Sequence, residues 1–299
     1  SQRTFGPRHE INPWTGDFTY AGSHIDTTSS NHNPIQHRLT AKDADLDPVA
    51  NPGARYFVEL YTLSHDDSDH TNSIGWQELD ISGSPGDEWD FDFRQVIGNQ
   101  GPALDAWEGG SRTVIPEGKL VDDGRCYLDV HVSQNPDGSY RYEYALYNLD
   151  LHRSVSSLSI PVGSDVTVSG IGFRAVESSE DGFNNEPWTA ERNESGVTWS
   201  TSSFDSHPDS NPLGWGSLYN FWFDANVAPG EGAARLGVYR TDIEGPTSFS
   251  GTTQVPGEGV LPPPEGDLFR RGDTDGNGSV ELTDAILVLD YLFQGSGAP

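Results

Sequence analysis

A run of acidic and amide side chains near the end of the sequence has the spacing of a calcium-binding loop. In a twelve-residue EF-hand loop, oxygen ligands occupy positions 1, 3, 5, 7, 9 and 12. In residues 273–284 these positions hold Asp273, Asp275, Asn277, Ser279, Glu281 and Asp284. Ser279 would bind through its backbone carbonyl, and Glu281 directly or through water. The sequence therefore predicts a Ca²⁺ site at this loop.

Two further positions of the loop agree with this prediction. Gly278 stands at position 6, where the chain must turn sharply, and Val280 stands at position 8 as an apolar anchor. The side chains offer hard oxygen donors and no nitrogen or sulfur, which favours Ca²⁺ over zinc. Position 12 is Asp284, where sensor loops have Glu, and this indicates a weaker site of the extracellular type.

The segment after the loop is apolar on almost every side. Residues 285–293 read A-I-L-V-L-D-Y-L-F. A helix that is apolar all round is normally buried all round, so we expect it to be covered by this chain's own β-domain or by another subunit. Loop and helix together resemble a dockerin repeat. The resemblance implies a cohesin partner for a pair of such repeats, and this chain shows one.

A second candidate site is a pair of carboxylates, Glu78 and Asp80, on one predicted strand. The pair is similar to the strand of laminarinase-type glycoside hydrolases, where a nucleophile, an aspartate and a general acid alternate. The third carboxylate would fall at Ser82 or Gly83, so the signature is broken at the general acid. We expect an ordinary outward-facing acidic pair and keep a glycoside hydrolase using Glu78 and Asp80 as an alternative.

Two other acidic stretches have weaker patterns. Residues 43–47 read D-A-D-L-D, an alternation that suits calcium, but Pro48 follows and no spaced glycine is present. Residues 65–70 read H-D-D-S-D-H and join two predicted strands. A solvated turn capped by aspartates is the favoured interpretation of this second stretch. A cation site remains the alternative at both.

The charge balance excludes several classes of partner. The 299 residues carry 46 Asp and Glu against 17 Lys and Arg, which gives a formal net charge of 17 − 46 = −29. Nucleic acids and anionic membranes need clustered basic residues, so we expect neither as a partner. No apolar run reaches the ~18 residues that would span a bilayer. The start at Ser1, the composition and the calcium motif predict a mature chain that is secreted, extracellular or at the cell surface.

Many short alternating segments separated by turn residues predict the fold. The clearest is a hairpin of residues 127–132 and 140–148, which is turned at Pro136-Asp137-Gly138. With further strands at 56–63, 76–81, 89–96, 166–176, 196–201, 218–225 and 235–240, the chain is predicted to be mainly β, an antiparallel β-sandwich or jelly roll.

The expected domain organisation has four parts. Residues 1–53 are an irregular N-terminal arm, 54–241 the β-sandwich, 242–266 a Gly/Pro-rich linker, and 267–299 the dockerin-like module. Within 125–240, stretches such as 142–148, 197–199 and 211–224 resemble a group of secreted bacterial β-rich proteins of unknown function that often end in dockerin-like repeats. The resemblance implies an extracellular module and no activity.

These observations predict a non-catalytic, extracellular, calcium-binding structural protein. We expect it to associate with itself head to tail into a filament or matrix, because the apolar helix needs a partner surface and a linker could carry it to a neighbour. The alternatives are a dockerin-tagged carbohydrate-binding module, with a cohesin-like scaffold or a polysaccharide as partner, and the glycoside hydrolase above.

Overall fold

A computed structural model describes residues 8–27, 41–67, 69–94, 98–117, 123–177 and 183–259. Two short helices, α1 (His24–Thr27) and α2 (Asp43–Leu46), precede the sheets. The strands are β1 (Tyr56–Tyr61), β2 (Ile74–Ser82), β3 (Asp90–Phe93), β4 (Asn99–Gln100), β5 (Ser111–Ile115), β6 (Cys126–Gln134), β7 (Tyr140–Asn148), β8 (Val155–Pro161), β9 (Val168–Arg174), β10 (Thr189–Asn193), β11 (Gly196–Ser200), β12 (Ser217–Ala225), β13 (Pro229–Val238) and β14 (Ser248–Gly259).

Ten of these strands form the predicted antiparallel β-sandwich. One five-stranded sheet has the order β10-β11-β8-β13-β14 and the other the order β5-β6-β7-β12-β9. The predicted hairpin is β6 and β7, paired from Cys126–Asn148 to Gln134–Tyr140. Its turn needs Gly138, whose φ of 89° lies in the left-handed region. The mainly β, antiparallel fold is therefore confirmed.

Aromatic side chains fill the space between the two sheets. Alternate residues of β12 are buried, and Phe221 and Phe223 are fully inaccessible. Trp199 from the opposite sheet stacks on Phe223 with ring centroids 6.1 Å apart and meets the edge of Phe221 at 5.3 Å. Burying each such side chain stabilises the fold by about 1.5–3 kcal/mol. These residues belong to the main hydrophobic core of the described chain.

The first four strands lie in the interval 54–241 that was expected to form the β-sandwich, but they belong to neither of its two five-stranded sheets. They form a separate sheet, called here the small sheet, in which β2 pairs with β1 on one side and with β3 and β4 on the other. A second buried cluster that includes Ile74, Leu104, Tyr147 and Leu149 joins this sheet to the sandwich.

The interval expected to be a linker, 242–266, contains the longest strand of the sandwich. Strand β14 pairs with β13 along its length, and its Val255 is fully buried. Glycine, threonine and serine residues hid the alternation that packs Phe249 and Val255 inward. Residues 260–266 and the module 267–299 lie outside the described residues, and the chain divides into compact units at Val260 and Leu261.

Candidate functional site

The six residues predicted to bind Ca²⁺ all lie outside the described residues. They are Asp273, Asp275, Asn277, Ser279, Glu281 and Asp284. The calcium site therefore stays a prediction from the sequence, and the other candidate residues can be placed in the fold.

Glu78 and Asp80 lie on the same face of β2 and are bound by two arginines. Arg55 holds the Glu78 carboxylate with two hydrogen bonds, from Nε to Oε1 at 2.9 Å and from Nη2 to Oε2 at 3.1 Å. Arg94 bridges the two carboxylates, from Nη1 to Glu78 Oε1 at 2.9 Å and from Nε to Asp80 Oδ1 at 2.7 Å. The two acids and two guanidinium groups form a charge-balanced network.

This network makes Glu78 a poor proton donor. The hydrogen bonds from Arg55, reinforced by the charges of Arg55 and Arg94, hold the pKa of Glu78 below its ordinary value. In the glycosidase signature Glu78 would be the nucleophile, which acts in its ionised form, and the position of the general acid holds Ser82 or Gly83, neither of which has a carboxyl group. The arrangement is suited to fixing strands together. Sequence reasoning missed both arginines, because their contacts depend on the three-dimensional packing of the sheet.

The acidic stretch 43–47 uses its carboxylates to hold the chain in place. Asp43 accepts hydrogen bonds from the Trp89 indole at 3.0 Å and from the backbone N–H of Gly86 at 2.9 Å, which together lower its pKa. Asp47 accepts the backbone N–H of Val49 at 2.9 Å. Asp45 Oδ1 lies 3.5 Å from an arginine of β9. The three carboxylates thus have separate partners.

The stretch 65–70 forms a turn capped by its own aspartates, apart from Ser68, which lies outside the described residues. Asp67 and Asp69 each accept the backbone N–H two residues further along the chain, at 3.0 and 3.1 Å. His65 pairs with Asp17 at 2.9 Å, and His70 is buried. Among the described residues, no group of three or more His, Cys, Asp or Glu side chains is placed to hold a metal ion.

The small sheet has an apolar face that is largely open to solvent. Directly opposed residues of antiparallel strands share a face, and Phe91 stands opposite Ile81 while Phe93 stands opposite Leu79. Leu60 of β1 lies on the same side, and these five residues are called here the apolar face. Leu60, Phe93 and Phe91 keep 72, 64 and 50 % of their surface exposed.

The opposite face of the small sheet is turned toward the sandwich. Glu59 of β1 accepts a hydrogen bond from the Tyr147 hydroxyl at 2.7 Å and from the backbone N–H of Ala103 at 2.6 Å. Ile74 is buried in the cluster beside them. One side of the sheet is therefore anchored and the other side is available for contacts.

Exposed tryptophans that could line a sugar-binding face are not found. All eight tryptophans lie in the described residues, and none of them is exposed: Trp188 and Trp199 are buried and the other six are half-buried. The exposed aromatic side chains of the described residues are instead Phe18, Tyr20, Phe91 and Phe93.

No family model, no curated protein and no solved structure matches this chain. In the part of the chain that the structure describes, no helix is long and apolar enough to cross a membrane.

Proposed function

We propose that this chain is a non-catalytic, calcium-binding structural subunit that associates with copies of itself outside the cell. The observation that carries the proposal is the apolar face. There Leu60 and Phe93 have more than half of their surface exposed, and Phe91 has half of it exposed. Full burial of one such side chain is worth about 1.5–3 kcal/mol. Phe91 and Phe93 lie next to each other on one side of β3, and a group of exposed apolar side chains of this kind is typical of an interaction site.

The position of the apolar face suits contact with another protein copy. Strand β3 ends the small sheet, and its outer edge pairs with no described strand. An edge strand offers unpaired backbone groups next to the exposed rings of Phe91 and Phe93. Asp90 and Asp92 alternate with these rings, and such charges restrict indiscriminate pairing.

In this proposal the association of the chains depends on bound calcium. An empty loop with Asp273, Asp275, Glu281 and Asp284 close together would repel itself, and bound Ca²⁺ would hold the loop and orient the apolar segment 285–293 that follows. A chain with two different apolar surfaces makes head-to-tail contacts, which extend into a filament unless the rotation closes a ring. The occupant proposed for the apolar face is therefore a second copy of the chain.

The glycoside hydrolase alternative is not supported by the small sheet. Glu78 is held in its ionised form by Arg55 and Arg94, and the position expected for a third carboxylate is Ser82 or Gly83. An ionised Glu78 could serve as a nucleophile, but neither Ser82 nor Gly83 has a carboxyl group that could protonate a leaving sugar oxygen. This geometry supports the non-catalytic interpretation.

Sedimentation velocity of the full chain, with calcium and with a chelator, tests the proposal. We expect concentration-dependent association in calcium and a monomer in chelator. Replacing Phe91 and Phe93 together with Ser should give monomers in calcium. So should replacing Asp273 and Asp275 with Ala. The matched control is Val114→Ser, because Val114 is 40 % exposed on the sandwich.

The outcomes of this experiment separate the role of the apolar face from self-association itself. Association of the Phe91→Ser, Phe93→Ser variant at the parent's concentration would remove the apolar face from the interface. A parent that stays monomeric in calcium at every concentration would contradict self-association. The C-terminal repeat would then be a docking tag for a cohesin-like scaffold.

A further inference from the structure

A cleft of about 190 Å³ opens at one end of the sandwich, where three separate segments meet. The segments are the β7–β8 connection with His152, the residues before β12 with Trp215, and the end of β13 with Tyr239 and Arg240. Arg8 from the N-terminal region and Phe183 from the β9–β10 connection also line it. A volume below the ~300 Å³ of drug-sized sites suits a ligand of about one ring.

The charge of the cleft is opposite to that of the chain. Acidic residues outnumber Lys and Arg by 46 to 17 in the sequence. The described residues that line this cleft include two arginines, Arg8 and Arg240, and no carboxylate. Basic groups in a concave, partly apolar site attract anions more strongly than the same groups on an open surface.

Arg8 is the best placed of these groups to meet an anion. Its Nη1 donates to the carbonyl oxygens of Trp215 at 3.0 Å and Gly216 at 2.7 Å, and the Trp215 indole donates back to the Arg8 carbonyl at 2.9 Å. Among the described residues it forms no ion pair. The guanidinium is therefore fixed in position, and no carboxylate of a described residue forms a direct ion pair with it.

The other side of the cleft pairs a cation with aromatic rings. Arg240 lies over the Phe204 ring at 5.0 Å and is held by two hydrogen bonds to Asp242, both 2.7 Å. The Phe204 ring meets Tyr239 edge to face at 5.4 Å. Asp242 offsets the charge of Arg240, so the contribution of this side is mainly a rigid aromatic wall.

A small recess of about 40 Å³ has Arg8 and Gly214 in common with the cleft. Glu177 lines this recess, and its carboxylate pairs with Lys42 at 2.5 Å. The acidic group that lines this recess thus has its own cation. It does not cancel the attraction of Arg8 for an incoming anion.

We propose that this cleft binds a carboxylated sugar ring, a hexuronate unit. The apolar face of a pyranose ring packs on aromatic side chains such as Trp215 and Phe204, while its ring-borne carboxylate reaches the guanidinium of Arg8. His152 also lines the cleft. Its imidazole makes no hydrogen bond to a described residue, so it can form one with a hydroxyl group of the sugar. The proposal does not depend on calcium binding or on self-association.

Gly214 provides a way to close the cleft without disturbing the fold. It lines both the cleft and the recess, and a Cβ atom added there meets no heavy atom within 4 Å. Its φ lies outside the left-handed region, since it is not among the positive-φ glycines. Gly214→Leu should therefore fill the space that the sugar would occupy.

Isothermal titration of the full chain with methyl β-D-glucuronide tests the proposal. A chelator is included so that calcium cannot bridge sugar carboxylates. For a ligand of this size we expect a dissociation constant of about 1 mM. The uncharged methyl β-D-glucoside should bind about tenfold more weakly, as the loss of one charged hydrogen bond implies. Acetate should also bind more weakly than the glucuronide.

Three variants complete the experiment. Gly214→Leu should abolish binding, and Arg8→Gln should weaken it about tenfold. The control Arg174→Gln makes the same charge change at a side chain that is 73 % exposed and outside the cleft, and it should bind like the parent. Circular dichroism checks that each variant is folded.

Several results would overturn the proposal. They are no binding by the parent chain, undiminished binding by Gly214→Leu, or equal binding of the glucoside and the glucuronide. Equal binding of acetate would show a simple anion site and would contradict recognition of the sugar ring. If Arg8→Gln unfolds, the Gly214→Leu titration still decides whether this cleft is the site.

Discussion

The sandwich and the small sheet use the same strand pattern with opposite results. In β12 the alternate residues Tyr219, Phe221 and Phe223 are buried against a second sheet. In β3 the alternate residues Phe91 and Phe93 remain half or more exposed. Alternation therefore tells which side chains share a face of a strand. What covers that face is decided by the rest of the fold.

The arginine–carboxylate pairs of the two regions also differ in how far they are exposed to solvent. In the sandwich, Arg153 is 2 % exposed and binds Asp123, and it also donates to the carbonyl of Pro246 at 2.7 Å. In the small sheet, the Arg55 side chain that binds Glu78 is 49 % exposed. We infer that the sandwich is the stable scaffold and that the small sheet is the part available for contacts.

The largest expected effect compares two phenylalanines in these two regions. Phe221→Ala should lower the free energy of unfolding by about 3–5 kcal/mol, because it leaves a cavity in a packed core. Phe93→Ala should change it by less than about 0.5 kcal/mol, since the side chain is already in water. Urea denaturation at low protein concentration in chelator measures both. Equal losses would show that the small sheet is packed as tightly as the sandwich.

A second comparison uses the buried and the exposed arginine. Arg153→Met should cost about 3 kcal/mol, because Asp123 loses its partner in a nearly dry environment. Arg55→Met should cost clearly less, since water can replace the lost hydrogen bonds to Glu78. Thermal and urea unfolding of the two variants provide the measurement. A larger loss of unfolding free energy in Arg55→Met than in Arg153→Met would contradict the view that the sandwich is the stable scaffold.

The smallest expected effect concerns the joint between the regions. Tyr147→Phe removes the hydrogen bond from the hydroxyl to Glu59 and should lower the stability by about 1 kcal/mol. Burial, together with the charge of Glu59, raises the pKa of Tyr147, so the hydroxyl stays a donor at neutral pH. Hydrogen exchange should become faster in β1 and stay unchanged in β12. Faster exchange in β12 alone would contradict this role for Tyr147.

Much of the sandwich was predictable because its strands alternate strongly. The segments 127–132, 140–148 and 218–225 agree with β6, β7 and β12 within a few residues. Strands β8 and β14 were missed because serine, glycine and threonine interrupt their apolar residues, so the local pattern was weak. Strand β8 pairs with β13, which is distant from it in sequence, whereas β14 pairs with β13 as the next strand along the chain.

The candidate sites were predictable only as local patterns. The sequence identified Glu78 and Asp80 as a pair, and the fold adds Arg55 and Arg94 from residues 23 and 16 positions away. The cleft around Arg8 draws together residues more than 200 positions apart. No spacing rule connects such residues, because only the tertiary fold brings them together.

Hydrogen exchange of the full chain tests the central claim most directly. At a concentration where the chain associates in calcium, amides of the edge strand Asp90–Phe93 should exchange more slowly than in chelator, and the core strand Tyr140–Asn148 should not change. Protection that grows with protein concentration would place the apolar face at the interface between copies. Association in calcium with unchanged exchange across Asp90–Phe93 would contradict the account.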